Sequence, residues 1–176
     1  MRVNKNIAII GMSGTFKSTV AKKLAPFLGK RSLDVDELIE FEYGCTISEL
    51  FKKSGEEYFR QIEKRIINDA ADFSDIVLAT GGGAVLNSEN MSVLKENFLI
   101  VALDADAKRI FSRLKNAEDR PLLTPFTLKK IEEYVAHRRH LYCEWADKTI
   151  NTNGKTSDTV TNIIKEWYLN LMQKID

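Results

Sequence analysis

The sequence predicts a doubly wound α/β domain, and three observations carry the prediction. Short, nearly continuous apolar runs alternate with amphipathic stretches of helical spacing. The runs have the length and composition of parallel strands buried on both faces. A loop containing glycines joins the first run to the first helical stretch. With right-handed crossovers, such a chain places its ligand site beyond the carboxyl ends of its strands.

The first strand is expected at 7–10, in Ile7-Ala8-Ile9-Ile10. A helix over 19–28 follows, with Val20, Leu24, Phe27 and Leu28 on one face and Gly29 as its stop. A weaker strand is expected at 32–35. One or two helical turns start at 48–51, and after Gly55 a longer helix runs over 56–71. Strands at 76–79 and 98–103 have the strongest apolar character. Helices over 106–115 and 127–145 precede a last short strand at 148–150. Ser157 is the expected cap of a final helix that turns Val160, Ile163, Ile164, Trp167 and Leu171 inward.

Composition sets the class of partner. The 176 residues are 44% hydrophobic and 29% charged, which suits one globular domain over 1–176. Lys plus Arg is 26 against 25 for Asp plus Glu, so no excess of positive charge points to nucleic acid or an anionic membrane. No apolar run approaches the roughly 18–20 residues of a membrane span. The run at 7–10 is too short for a signal-peptide core. Cys45 and Cys143 form no CxxC pair, and His137 and His140 cannot build a metal site by themselves. A reduced, cytoplasmic protein is expected.

The loop after the first strand reads Gly11-Met12-Ser13-Gly14-Thr15-Phe16-Lys17-Ser18-Thr19. It follows the phosphate-binding pattern G-x-x-x-x-G-K-[ST] except at Phe16, where the pattern has its second glycine. Glycines let backbone N–H groups turn toward a phosphate, and the helix N-terminus adds partial positive charge. In this pattern Lys17 bridges the β- and γ-phosphates of ATP, and the Ser18 hydroxyl ligates Mg²⁺. A Cβ at position 16 is expected either to strain the loop by about 1–2 kcal/mol, if φ is positive there, or to divert its path.

Five further blocks appear in order. They are Asp34-Val35-Asp36-Glu37-Leu38-Ile39-Glu40, Gly55-Glu56-Glu57-Tyr58-Phe59-Arg60-Gln61-Ile62-Glu63, Gly81-Gly82-Gly83, Arg120-Pro121-Leu122-Leu123, and Arg138 four residues before Tyr142. Asp34 and Asp36 are read as alternate residues on one face of a strand end. One carboxylate then serves the water shell of Mg²⁺ and the other a substrate hydroxyl. Arg60 and Glu63 stand i,i+3 on a helix, so the carboxylate can hold a guanidinium that binds a substrate carboxylate. The glycine triplet removes side chains where a ligand must approach the backbone.

Together with the loop, these blocks resemble the shikimate kinase family, small phosphate-loop kinases of the nucleoside-monophosphate-kinase fold. The resemblance spans nearly the whole chain. It implies a three-layer domain whose five-stranded parallel sheet has the order 2-3-1-4-5, with a lid at about 115–127 and substrate-binding helices at about 34–62. It implies transfer of the ATP γ-phosphate to the 3-hydroxyl of shikimate, with Mg²⁺, by a monomer. Lys17, Asp36 and Arg120 are the implied catalytic residues. Residues 11–19, Arg113 and Arg120 would bind ATP, with Arg113 packing on adenine; Lys108 and Arg109 are its rivals on the same helix. Asp36, Arg60, Gly81, Gly82, Gly83 and Arg138 would bind shikimate. Ser18 and, through water, Asp34 would hold the metal. Phe51 and Phe59 are read equally as pocket lining or helix core, and Arg139 as part of a basic surface turn. Two alternatives stay open: another small-metabolite kinase of this fold, such as a gluconate kinase, and a binding protein that transfers no phosphate because of Phe16.

Overall fold

The computed structural model describes residues 6–115 and 126–174. Five strands, β1 (Asn6–Gly11), β2 (Arg31–Asp34), β3 (Ile76–Ala79), β4 (Phe98–Asp104) and β5 (Lys148–Asn151), form one sheet in the order β2-β3-β1-β4-β5. Every pairing is parallel. Register aligns Gly11 with Leu103 and Asp34 with Ala79. The carboxyl ends of β1 to β4 therefore share one edge of the sheet.

Side-chain alternation splits the core in two. Ala8, Ile10, Ile76, Leu78, Ile100 and Ala102 face one layer of helices, while Ile7, Ile9, Val77, Ala79, Val101 and Leu103 face the other. The second layer is α1 (Lys17–Phe27) and α7 (Ser157–Met172), which contribute Val20, Leu24, Val160, Ile164 and Tyr168. The first layer holds α2 (Val35–Tyr43), α3 (Ile47–Ala71), α4 (Ser88–Asn97), α5 (Ala107–Leu114) and α6 (Leu128–Trp145). Among the described residues no helix is long and apolar enough to cross a membrane.

Several expectations are corrected. Val35 opens helix α2 instead of closing a strand, because Asp34 caps that helix: its carboxylate accepts from the N–H groups of Asp36 (3.0 Å) and Glu37 (3.4 Å). The 56–71 helix and the 48–51 turns are two parts of α3 that meet at a break, where Gly55 takes φ 80° and ψ 172°. Phe27 is 60% exposed, since Pro26 and a closing turn end α1 there and carry the ring outward beneath Lys165. Gly29 ends that turn as expected, with φ 64° and a Lys30 N–H that returns to the Ala25 carbonyl. Thr156, not Ser157, caps α7, its hydroxyl accepting from the Thr159 N–H. Helix α4 was not expected; Asn87 caps it through the N–H groups of Glu89 and Asn90.

Gly11 ends the central strand with φ 139°, and a Cβ there would overlap the carbonyl oxygen of Leu103. Gly11→Ala should therefore destabilise the fold by about 1–3 kcal/mol, the usual effect of a strained backbone conformation. Equilibrium urea denaturation reads the effect, and an unchanged midpoint would refute this account of the glycine.

Candidate active site

The phosphate loop leaves β1 and enters α1 through left-handed turns at Gly14 (φ 81°) and Phe16 (φ 78°). Position 16 thus keeps the conformation that a glycine would adopt, so of the two expected outcomes the loop shows strain and not diversion. The Met12 carbonyl is its internal anchor. It accepts from the Thr15 N–H (3.3 Å), the Thr15 hydroxyl (2.7 Å) and the Lys17 ammonium (3.0 Å). Lys17 is the first residue of α1 and only 8% exposed, so it lies folded back over the loop. Ser18 and Thr19 are exposed on the first turn of α1.

Beside the loop lies a cavity of about 300 Å³. Met12, Ser13 and Ser18 line its phosphate-loop side. The ends of β2 and β3 supply Asp34, Asp36 and the glycine triplet, α3 supplies Phe51, Phe59, Arg60 and Glu63, and α6 supplies Tyr134 and Arg138. Most of the expected substrate and metal residues therefore converge. The two aspartates do so by a different route from the one expected. Asp34 ends a strand and Asp36 lies in the helix it caps, so a capping turn brings them together and not strand alternation. Arg120 and most of the expected lid lie outside the described residues.

At the acceptor end, Arg60 donates to Glu63 Oε2 at 2.7 Å and to Glu56 Oε1 at 3.2 Å. Glu63 is fully buried, and its Oε1 has no hydrogen-bond partner among the described residues. Burial drives the Glu63 carboxyl above the usual carboxylate range; Arg60 opposes this, Asp36 adds to it, and Arg138 opposes it more weakly. Burial also works against the Arg60 guanidinium, but Glu63 and Glu56 outweigh it and leave its pKa raised.

The glycine triplet serves the protein before any ligand. A Cβ on Gly81 would overlap the Glu63 carboxylate and stand 3.1 Å from Asp36 Oδ1. A Cβ on Gly83 would overlap the Arg60 guanidinium, and one on Gly82 would stand 3.0 Å from the Ser13 hydroxyl. The Gly82 carbonyl also accepts from Tyr142 Oη at 2.5 Å and Arg138 Nη1 at 3.4 Å. Burial pushes the Tyr142 phenol up to about 12, so it remains a donor at neutral pH. Arg138 is 7% exposed and stacks 4.5 Å from the Tyr134 ring centroid, while its Nε has no partner among the described residues.

Phe51 and Phe59 fill both roles considered for them. Their ring centroids stand 4.7 Å apart in the wall of the cavity, and Phe59 is also a buried core residue. Arg139 is not merely a surface residue. It forks onto Asp104 at the end of β4, with Nε 3.0 Å from each carboxylate oxygen, and so ties α6 to the sheet edge. Sequence reasoning missed Tyr134; its place one helical turn before Arg138 was the available signal.

On the β5 side of the loop, Arg113 alone of the three rival cations reaches the phosphate loop. It donates to the Gly14 carbonyl (3.0 Å), the Thr152 hydroxyl (3.1 Å) and the Thr152 carbonyl (3.0 Å), whereas Lys108 and Arg109 are exposed.

A phosphate loop, an acidic pair, a half-buried Arg60 and a buried Arg138 thus gather at one sheet edge. Residues 13–168 match the family model described as shikimate kinase. The chain belongs to the shikimate kinase family. It is 45% identical over 165 residues to the shikimate kinase of Thermodesulfovibrio yellowstonii, covering 93% of this chain and 95% of the relative. It is 41% identical over 160 residues to that of Persephonella marina, covering 91% and 96%. The Acinetobacter baumannii shikimate kinase, solved in complex with shikimate, superposes with a TM-score of 0.92 at 34% identity, covering 96% of this chain and 95% of that one. As a member of this family the chain is an ATP-dependent small-molecule kinase.

Glu63 gives the site a measurable pH signature. Its pKa is raised on folding, so its contribution to stability is full below the ordinary carboxylate pKa and is lost as pH rises through the folded value. The stability of the wild type relative to Glu63→Gln should therefore decline from about pH 4.5 upward. Urea denaturation of both proteins across pH 4.5–8 checks this, and a constant difference would contradict it.

Proposed function

We propose that this chain transfers the γ-phosphoryl group of ATP to the 3-hydroxyl of shikimate, giving shikimate 3-phosphate and ADP. The observation that carries the substrate is the pair of arginines at one end of the cavity. Arg60 is held rigid by the buried Glu63, and Arg138 is braced by Tyr134 and the Gly82 carbonyl. Two positioned guanidiniums suit one carboxylate, which they bind by charge-assisted hydrogen bonds. A gluconate reading shares the carboxylate, but family membership favours shikimate.

With its carboxylate on Arg60 and Arg138, the substrate lies against Phe51 and Phe59 and extends its hydroxyl toward Asp36. Asp36 orients that hydroxyl and accepts its proton as the oxygen attacks the γ-phosphorus. The bond from phosphorus to the β–γ bridging oxygen breaks, and ADP leaves with that electron pair. Lys17, released from the Met12 carbonyl, neutralises charge on the phosphoryl oxygens, a role that the family resemblance also gives to Arg120. Positioning and charge neutralisation supply most of such a barrier reduction.

The donor set near the loop suits Mg²⁺. Ser18 and Asp34 offer hard oxygen ligands at the cavity edge, and among the described residues no three His, Cys, Asp or Glu side chains form a metal cage. An ion that arrives with nucleotide and keeps several waters needs few protein ligands. Ser18 would bind it directly and Asp34 through water, since one Asp34 oxygen is engaged in capping α2. The ion would supply charge neutralisation on the phosphates.

Two experiments test the assignment. Arg60→Ala or Arg138→Ala should weaken shikimate binding by about 1.5–3 kcal/mol with a much smaller effect on ATP, as titration calorimetry would read; equal losses for both ligands would remove the carboxylate clamp. Lys17→Ala should abolish most of the coupled ADP release while the far-ultraviolet dichroism is retained. Turnover near that of the wild type would remove the kinase mechanism drawn on this lysine.

A further inference from the structure

Phe16 occupies a position where an L-residue is strained, and its ring makes one specific contact. The Arg113 guanidinium carbon lies 3.8 Å from the Phe16 ring centroid. The rest of the ring packs against the core layer built from α1 and α7. Arg113 is fixed on its edge by the Gly14 carbonyl and by both oxygens of Thr152, a residue that is fully buried. A guanidinium is planar and has two stacking faces. Here three acceptors hold its edge and an aromatic ring holds one face, which leaves a flat cationic platform beside the phosphate loop. Burial and the neighbouring Arg109 lower the Arg113 pKa, and a partly desolvated cation gains more from a ring than a hydrated one.

We propose that Phe16 is a positioning residue for the nucleotide base, acting through Arg113. The inference rests on the reading that Arg113 lies against adenine. The ring presets the guanidinium plane before nucleotide arrives, so the base meets a platform already ordered and its ordering entropy is not lost on binding. The strained backbone at position 16 persists because this contact and the second core fix the ring. The residue that breaks the phosphate-loop pattern is then part of the binding site for the base and not a defect in the site for the phosphates.

The distinguishing property is that Phe16 should act on the base and not on the diphosphate. Binding of ADP and of inorganic pyrophosphate, each with Mg²⁺, is measured by calorimetry for wild type, Phe16→Leu, Phe16→Tyr, Phe16→Gly, Arg113→Ala and the Phe16→Leu/Arg113→Ala pair. Leucine keeps the Cβ and the apolar bulk but has no π face. Phe16→Leu should weaken ADP about three- to tenfold, within the range of a cation–π contact, and leave pyrophosphate unchanged. Phe16→Tyr should retain the wild-type ratio of the two affinities. Phe16→Gly removes the strain together with the ring, so it should fold even where leucine does not, and should show the same fall in that ratio. In the Arg113→Ala background, Phe16→Leu should have no further effect on ADP. Equal losses for ADP and pyrophosphate would overturn the proposal, because Phe16 would then act on the phosphates. A loss in Arg113→Ala without one in Phe16→Leu or Phe16→Gly would overturn the role of Phe16 and leave Arg113 under the base. An Arg113→Ala protein with unaltered ADP affinity would overturn the reading of Arg113 itself.

Discussion

The acceptor side of this molecule depends on a carboxylate with no access to water. Glu63 is buried completely, and a buried charge is tolerated only with a partner of good geometry. Arg60 is that partner, at 2.7 Å from one oxygen. Seating the pair against the end of β3 requires backbone without side chains, which Gly81 and Gly83 supply. The same short segment offers the Gly82 carbonyl to Tyr142 and Arg138, which draws α6 down onto the sheet edge. One ion pair thus sets the composition of a loop and the seat of a helix.

The donor side is organised by a different device, an inward-turned carbonyl. Met12 collects the Thr15 and Lys17 donors, which tightens the loop and keeps the lysine ammonium near the region a phosphate would occupy. The two sides meet at Gly82, where a Cβ would crowd Ser13. Arg139 steadies the arrangement from outside by clasping Asp104 at the end of β4. That pair is partly exposed, so its energetic contribution is small and its value lies in fixing where α6 sits.

Much of this was legible in the sequence, for identifiable reasons. The apolar runs of β1, β3 and β4 are buried on both faces, so their composition alone marks them. The phosphate loop and the arginines were legible because their chemistry depends on residue type and spacing. Helix α2 was hidden because Val35 reads as a continuation of a strand, although Val35 and Ile39 stand i,i+4 and are both buried. Helix α4 was hidden because its sequence is largely polar and only Met91 and Leu94 mark an apolar face. The capping residue Asn87 was the better signal. Three contacts could not be read at all. The Phe16–Arg113 stack, the Arg139–Asp104 clasp and the fit of Gly81 around Glu63 join residues distant in sequence, and no local pattern encodes them.

The division of the core into two layers has a consequence for how such a molecule can change over generations. The cavity side chains on α3 and α6 are backed by one apolar layer, and the helix that follows the phosphate loop is backed by the other, with the sheet between them. A substitution that reshapes the acceptor pocket disturbs packing on its own side and is separated by a whole sheet from the packing behind α1. Additivity of effects between distant sites then lets the two sides accumulate variation separately. A lineage built on this plan can vary the cavity wall on α3 and α6 without repacking the layer behind α1, provided that Met12 and the Gly82–Ser13 approach are kept.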